Sequence, residues 1–269
     1  MPKKIKSENK HLVHGICHLN MIPVRVKPTD DAIVSSQMLF GETCWVVEKK
    51  NKHWFKVQTN ICDTLGWVKA IQLILIEEAL FDKYIENSGI SLEIAQPIFN
   101  DEISKSIVMA SSLPLFDGIS CQMPYNNYVY NGQAATAQGL DFSAELLVKV
   151  ARRYLYSPEL TGGRSPYGID AGAFIQNIMR CFGIKLPRQP HLQHLEGQII
   201  DFVEMCSEGD LVFCQDNEGQ INHVGMVIGE KQIIHVYGCV RIDKLDHFGI
   251  YHNEQKKYTH KLRIIKRLF

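Results

Sequence analysis

One stretch constrains this chain more than any other. Residues 162–174 read GGRSPYGIDAGAF: a glycine turn followed at once by a helix start. Apolar residues then recur at helical spacing through Phe174, Ile178, Met179 and Phe182. Asp170 is placed as the N-cap and Gly183 as the residue just past the end. Downstream, GDLVFC (Gly209–Cys214), HVGMVIG (His223–Gly229) and IIHVYGCVRID (Ile233–Asp243) read as strands, two of which carry a histidine. An earlier helix is read from AELLVKVARRYLY after Ser143, with Leu146, Leu147, Val150, Ala151 and Tyr154 on one face and Ser157-Pro158 ending it. The closing LRIIKRLF is read as a strand or a final sheet edge. Helices followed by an antiparallel sheet define an α+β unit.

The residues before it follow another period. IPVRV, CWVVE, WFKVQ and GWVKA are short runs rich in Val, Trp and Phe, punctuated by Thr29-Asp30-Asp31 and Asn51-Lys52. Strands this short and this evenly spaced predict a small β-barrel over 12–76. Residues 77–140, with SKSIVMASSLPLFDG and NYVYNG, again read as strands and turns, and a second small barrel is expected there rather than an irregular linker. The start, MPKKIKSENK, is basic and polar, and residues 1–11 are read as disordered.

Charge and cysteine usage exclude several function classes. Lys+Arg and Asp+Glu are 29 each, so no basic face marks nucleic acid as the partner. No leader-like apolar run follows the N-terminus, and AIQLILI (Ala70–Ile76) is too short to span a bilayer. The expectation is a cytoplasmic protein with no membrane partner. The eight cysteines form no CxxC pair and read as small buried hydrophobes. His14, Cys17 and His18 lack a second pair of strong ligands, so no metal and no cofactor is expected. His191 and His194 are read as solvent-facing, and KKYTHKLRIIKR as a solvated strand pair.

From Ser143 to Phe269 the chain resembles the NlpC family of bacterial cell-wall cysteine peptidases, and the N-terminal segment IPVRVKP, SSQMLFGE, W-x-K-V and GWV resembles bacterial SH3-like domains. The resemblance implies a papain-like fold behind one or two SH3-like barrels (12–76, 77–140, then 141–269), in the subgroup that cleaves γ-D-glutamyl-L-diamino acid bonds of murein peptides. The family pattern is Y-x-W-G-G, then G-x-D-C-S-G-F at a helix start, L-P-R, G-D-L-x-F-F, an H-V-G-I strand and an I-H-A strand. Its chemistry is a thiolate made acidic by the helix N-terminus, a histidine base, a residue that orients that base, and backbone N–H groups for the oxyanion.

Carried over residue by residue, Asp170, Gly162-Gly163, Leu186-Pro187-Arg188 and Gly209-Asp210-Leu211 match, His223 falls on the base and His235 on the orienting residue. The nucleophile does not match: Ala171 stands where the cysteine belongs, Gly172 where the serine does and Ala173 where the glycine does. Glu159 and Thr161 replace the tyrosine and the tryptophan. Alanine has no lone pair, and losing a serine nucleophile in subtilisin costs on the order of 10⁶ in turnover. Cys181 lies ten residues along the same helix, about 15 Å away, and neither it, Cys214 nor Cys239 is expected to substitute.

The expected function is therefore a homologue of a murein-peptide cysteine endopeptidase, impaired or inactive in hydrolysis, that retains binding of murein-derived peptide in the cleft between barrel and peptidase-like domain. Asp170 and Gly172, with the helix start, are read as substrate-binding, and Asp170 as attracting a peptide amine. Glu159 and Thr161 either line a remodelled pocket or are plain loop residues. One alternative is an active cysteine peptidase whose nucleophile was replaced by the present Ala171; another is an interaction module working through its SH3-like barrels. His223 and His235 as packed strand histidines, and Asp170 as a cap only, are the plainer readings of the same residues.

Overall fold

The computed structural model describes residues 13–269; the disorder expected over 1–11 lies outside the described residues. Seven strands come first: β1 (Val13–Cys17), β2 (Met21–Arg25), β3 (Val34–Leu39), β4 (Thr43–Lys50), β5 (Trp54–Thr59), β6 (Leu65–Lys69) and β7 (Leu73–Ile76). They pair in the order β3-β2-β6-β5-β4-β1-β7. Alternation along β2 sends Ile22 and Val24 inward, where they meet Met38, Cys44, Val46, Val57 and Val68.

The chain then forms α1 (Glu78–Glu86), a helix where the sequence pattern had pointed to strands. Phe81 and Tyr84 are its buried residues, and the rings of His14 and Trp45 pack on Phe81 at 4.2 and 5.1 Å. His14 is thus part of an aromatic contact. Next come β8 (Gly89–Ser91), β9 (Ala95–Phe99), β10 (Ser104–Val108), β11 (Ser112–Leu113), β12 (Ser120–Gln122), β13 (Asn127–Tyr130) and β14 (Ala134–Ala135). These make two small sheets, β10-β9-β13-β12 and β11-β8-β14, over a core of Ile98, Ile107, Leu113, Cys121, Tyr128 and Tyr130.

The last unit opens with α2 (Ala144–Arg152), whose N-cap Ser143 accepts the Leu146 N–H. After the short hairpin β15 (Arg164–Ser165) and β16 (Gly168–Ile169) come α3 (Ala171–Cys181) and α4 (Pro190–Gln193). A sheet follows, built from β17 (Gln198–Ile200), β18 (Leu211–Gln215), β19 (Ile221–Gly229), β20 (Gln232–Tyr237), β21 (Cys239–Asp246), β22 (Gly249–His252) and β23 (Lys257–Arg267). Its order is β17-β23-β18-β19-β20-β21-β22, and β22 also pairs with β23, so six strands close on themselves. The C-terminal strand is therefore no sheet edge. Its eleven residues are long enough to pair with β17, β18 and β22 together.

The closed sheet has two apolar sides. Val224, Met226, Ile234 and Val236 join the large core with Phe174, Ile178 and Met179 of α3. Val212, Cys214, Val227, Ile233, Leu245 and Ile250 make a second cluster. No helix among the described residues is long and apolar enough to cross a membrane.

The junction between this unit and the first strands is ionic and buried. Glu42, 1% exposed, accepts from Arg164 at 2.7 and 3.0 Å and from Arg180 at 3.0 Å. Arg180 also donates to Ala110 O and to Ser112 Oγ. Backbone meets backbone here as well: Gly162 has φ +79°, and a Cβ on it would lie 2.2 Å from Val34 O. The same holds for Gly41, at φ +73° and 2.3 Å from Ser112 O. Both close approaches require glycine: the one at Gly162 holds the loop leading into α3 on β3, and the one at Gly41 sets the turn after β3 against β11.

Candidate active site of a peptidase-like fold

The helix side of the site is set by Asp170. Its extended backbone makes it the N-cap of α3, and its Oδ1 accepts the Ala173 N–H at 2.9 Å. Arg188 donates to both carboxylate oxygens, at 2.7 and 2.5 Å, and the Gly162 N–H reaches Oδ2 at 2.9 Å. Four donors and one full positive charge thus satisfy this carboxylate within the protein. Leu186-Pro187-Arg188 accordingly serves as the anchor of the helix start.

Ala171 is the first residue of α3 and is buried at 9% exposure, so the position offers a methyl group. Gly172 is hemmed in: a Cβ there would fall 2.5 Å from Arg188 O and 3.0 Å from Pro190 Cδ. Gln193, fully buried, donates to Gly172 O and Pro187 O, both at 2.9 Å, and ties α4 to the same turn. Of the N–H groups in the first helical turn, that of Ala173 is capped, while those of Ala171 and Gly172 have no intrahelical acceptor.

The upstream loop runs beside this turn. Glu159 bridges to Ile169 and holds the bend after β20: its N–H donates to Gly238 O at 3.0 Å, and its Oε2 accepts the Gly238 N–H at 2.7 Å. Thr161 is exposed in the same loop.

The sheet side is a buried chain of hydrogen bonds. α3 packs on β19 and β20, which carry His223 and His235. His223 Nε2 lies 3.0 Å from His235 Nδ1, and His235 Nε2 lies 3.0 Å from Asp243 Oδ2. Arg241 donates to both oxygens of Asp243, at 2.7 and 3.1 Å. Burial alone would raise the Asp243 carboxyl, but the bonds from His235 and Arg241 outweigh it and hold the pKa at about 2. An ionised Asp243 only accepts, so His235 donates from Nε2 and its Nδ1 carries the lone pair. His223 then donates from Nε2, and its Nδ1 is left as the basic nitrogen. Burial lowers the pKa of both rings; for His223 the neighbouring His260 and His235 add to the fall, while for His235 the bond to Asp243 opposes it. Two neutral imidazoles in a fixed tautomer result.

His260 of β23 completes the cluster. Its ring stacks on His223 at 3.8 Å and 21°, and stands edge-on to His235 at 5.5 Å. Sheet closure brings it there. Asp243, Arg241 and His260 were not singled out in the sequence. Arg241 and Asp243 sit two apart in one strand and so share a face with each other, and that spacing is the signal that would have found them. His260 left none, lying in a run that reads as solvated.

None of the eight cysteines lies in the first turn of α3. Cys17, Cys44, Cys62, Cys121, Cys181 and Cys214 are buried, and Cys206 and Cys239 half-buried. Burial pushes the thiols of Cys181 and Cys214 up to about 12, far from a thiolate at neutral pH. Cys181 closes the far end of α3, and Cys239 opens β21.

A capped helix packed on a sheet that carries a His–His–Asp chain, after a small β-unit, has counterparts among known proteins. Residues 160–263 match the NlpC/P60 family, and residues 24–73 match the bacterial dipeptidyl-peptidase Sh3 domain. Residues 160–263 are an NlpC/P60 domain. This NlpC/P60 domain is papain-like, and the segment before it is SH3-like. The chain is 28% identical over 229 residues to a gamma-D-glutamyl-L-lysine dipeptidyl-peptidase of Bacillus cereus, covering 75% of this chain and 67% of that one. It is 25% identical over 222 residues to the Bacillus subtilis protein of the same name, covering 76% and 73%. A crystal structure of an NlpC/P60 family protein from Bacillus cereus superposes with a TM-score of 0.80 at 20% identity, over 95% of this chain and 99% of that chain. The fold around the NlpC/P60 domain is therefore shared along nearly the whole length.

Proposed function

We propose that this protein recognises murein-derived peptides containing a γ-D-glutamyl linkage to a diamino acid and does not hydrolyse them by a thiol route. One observation supports the reading: residue 171 ends in a methyl group, while the imidazole–imidazole–carboxylate chain on the sheet against which α3 packs is complete. A base with no nucleophile to deprotonate forms no acyl-enzyme. The relatives' printed activity, on γ-D-glutamyl-L-lysine peptides, supplies the substrate class. The N–H groups of Ala171 and Gly172 are donors for a substrate carbonyl or carboxylate. Thr161 and Glu159, alongside Ile169, border that turn. Asp170 acts here as cap and anchor, because Arg188 already matches its charge.

The second reading is a peptidase altered at the nucleophile alone, and the intact His223–His235–Asp243 chain favours it. Gly172 speaks the other way. A serine Cβ there would fall 2.5 Å from Arg188 O, which supports a turn that differs from the family pattern at more than one position. Ala171→Cys separates the two when assayed on L-Ala-γ-D-Glu-L-Lys peptide with chromatographic detection of products. The first reading predicts turnover at the level of the enzyme-free control. Turnover of about 1 s⁻¹ or more, within the ordinary enzyme range, would establish a change at one position.

A further inference from the structure

We propose that His223, His235 and His260 form a binding site for one divalent transition-metal ion of the zinc type. Each ring offers a nitrogen, and the three nitrogens lie within 4.8 Å of one another. Imidazole nitrogens bound to zinc at 2.0–2.1 Å in a tetrahedron stand about 3.3 Å apart. The His223–His235 pair, at 3.0 Å, is already at that spacing.

The surroundings match what metal-bound histidines have around them. Asp243 accepts from His235 Nε2, which points the Nδ1 lone pair into the cluster, and Arg241 fixes Asp243 in turn. His260 Nδ1 lies 2.9 Å from Thr259 Oγ1, which orients that ring too. Metal ligation needs neutral imidazole, and burial disfavours the charged form of all three rings. Loading has a defined structural cost. His223 must move its proton from Nε2 to Nδ1, and the stacked rings of His223 and His260 must open beyond their 21° angle so that one ion lies in both planes. His223 and His235 are buried and His260 half-buried, so the ion enters past His260. Three nitrogens leave the fourth tetrahedral position open.

The site rests on the three rings and not on the peptide-binding reading, so it is tested without peptide. The full chain, stripped with a chelator and exchanged into buffer at pH 7.5, is titrated with zinc chloride by calorimetry, and with cobalt chloride by visible absorption. The expected result is one ion per chain with a Kd of about a micromolar or below, a tetrahedral cobalt spectrum, and a Tm that rises with zinc. His260→Gln, whose cooperative melt is checked alongside, is expected to weaken zinc at least tenfold, and the exposed His191→Gln to leave it unchanged. Absence of saturable zinc binding up to 1 mM overturns the proposal, and so does a folded His260→Gln protein that binds zinc as the parent does.

Discussion

The two halves of the site have fared differently. On the sheet side, His223, His235 and Asp243 are buried, mutually bonded and backed by Arg241. On the helix side, the first turn of α3 carries a methyl at 171, a glycine pressed against Arg188 O at 172, and a capping carboxylate already held by an arginine. The sheet side is an interior network in which every member supports another. The helix side is a buried turn of small residues that carries no ionisable side chain beyond its cap Asp170. Removing any member of the sheet-side chain would leave a buried partner's hydrogen bond unmet, whatever residue stands at 171.

The largest expected effect is at Asp243. Asp243→Ala removes the acceptor of two buried or half-buried donors, His235 and Arg241, and should destabilise the fold by about 3–5 kcal/mol in urea unfolding. A loss under about 1 kcal/mol would mean that the sheet-side network is ornamental and the contrast false.

Acid titration is the next test. Burial, with the charge of His235, lowers the His260 pKa to about 4, against an unfolded value near 6.5. The unfolded chain then binds more protons between these limits, so stability is whole above pH 6.5 and falls as pH drops toward 4. The loss from this one group is on the order of 3 kcal/mol. Thermal melts from pH 7.5 to 4 should show that fall in the parent and a shallower one in His260→Gln. Equal slopes would contradict a neutral, buried cluster.

On the helix side the effect is smaller. Gly172→Ser must push the Arg188 backbone away by several tenths of an ångström, and should cost about 1–3 kcal/mol. A neutral result would mean that the turn accommodates the serine of the family pattern and has not been rebuilt.

The sequence shows one half of the site more openly than the other. Asp170 as a helix cap and the helix after it were legible because capping and 3.6-residue periodicity are local. His223 and His235 could be placed on strands for the same reason. Arg188, Glu42 and His260 could not be placed, because the partners Asp170, Arg164 and His223 are 18, 122 and 37 residues away. Those pairings exist only once the loop before α3 docks on β3 and the sheet closes through β22 and β23. Helix α1 was hidden for a related reason. Its burial comes from His14 and Trp45, over thirty residues upstream, and its own nine residues carry just two buried side chains.

The most direct test keeps the protein as it is. The full chain at pH 7.5 is titrated by calorimetry with L-Ala-γ-D-Glu-L-Lys peptide, and the same cell contents are then separated by chromatography. Saturable heat at millimolar peptide or below, with all peptide recovered uncut, is the predicted result. Released L-Lys, or no heat at millimolar peptide, would contradict it.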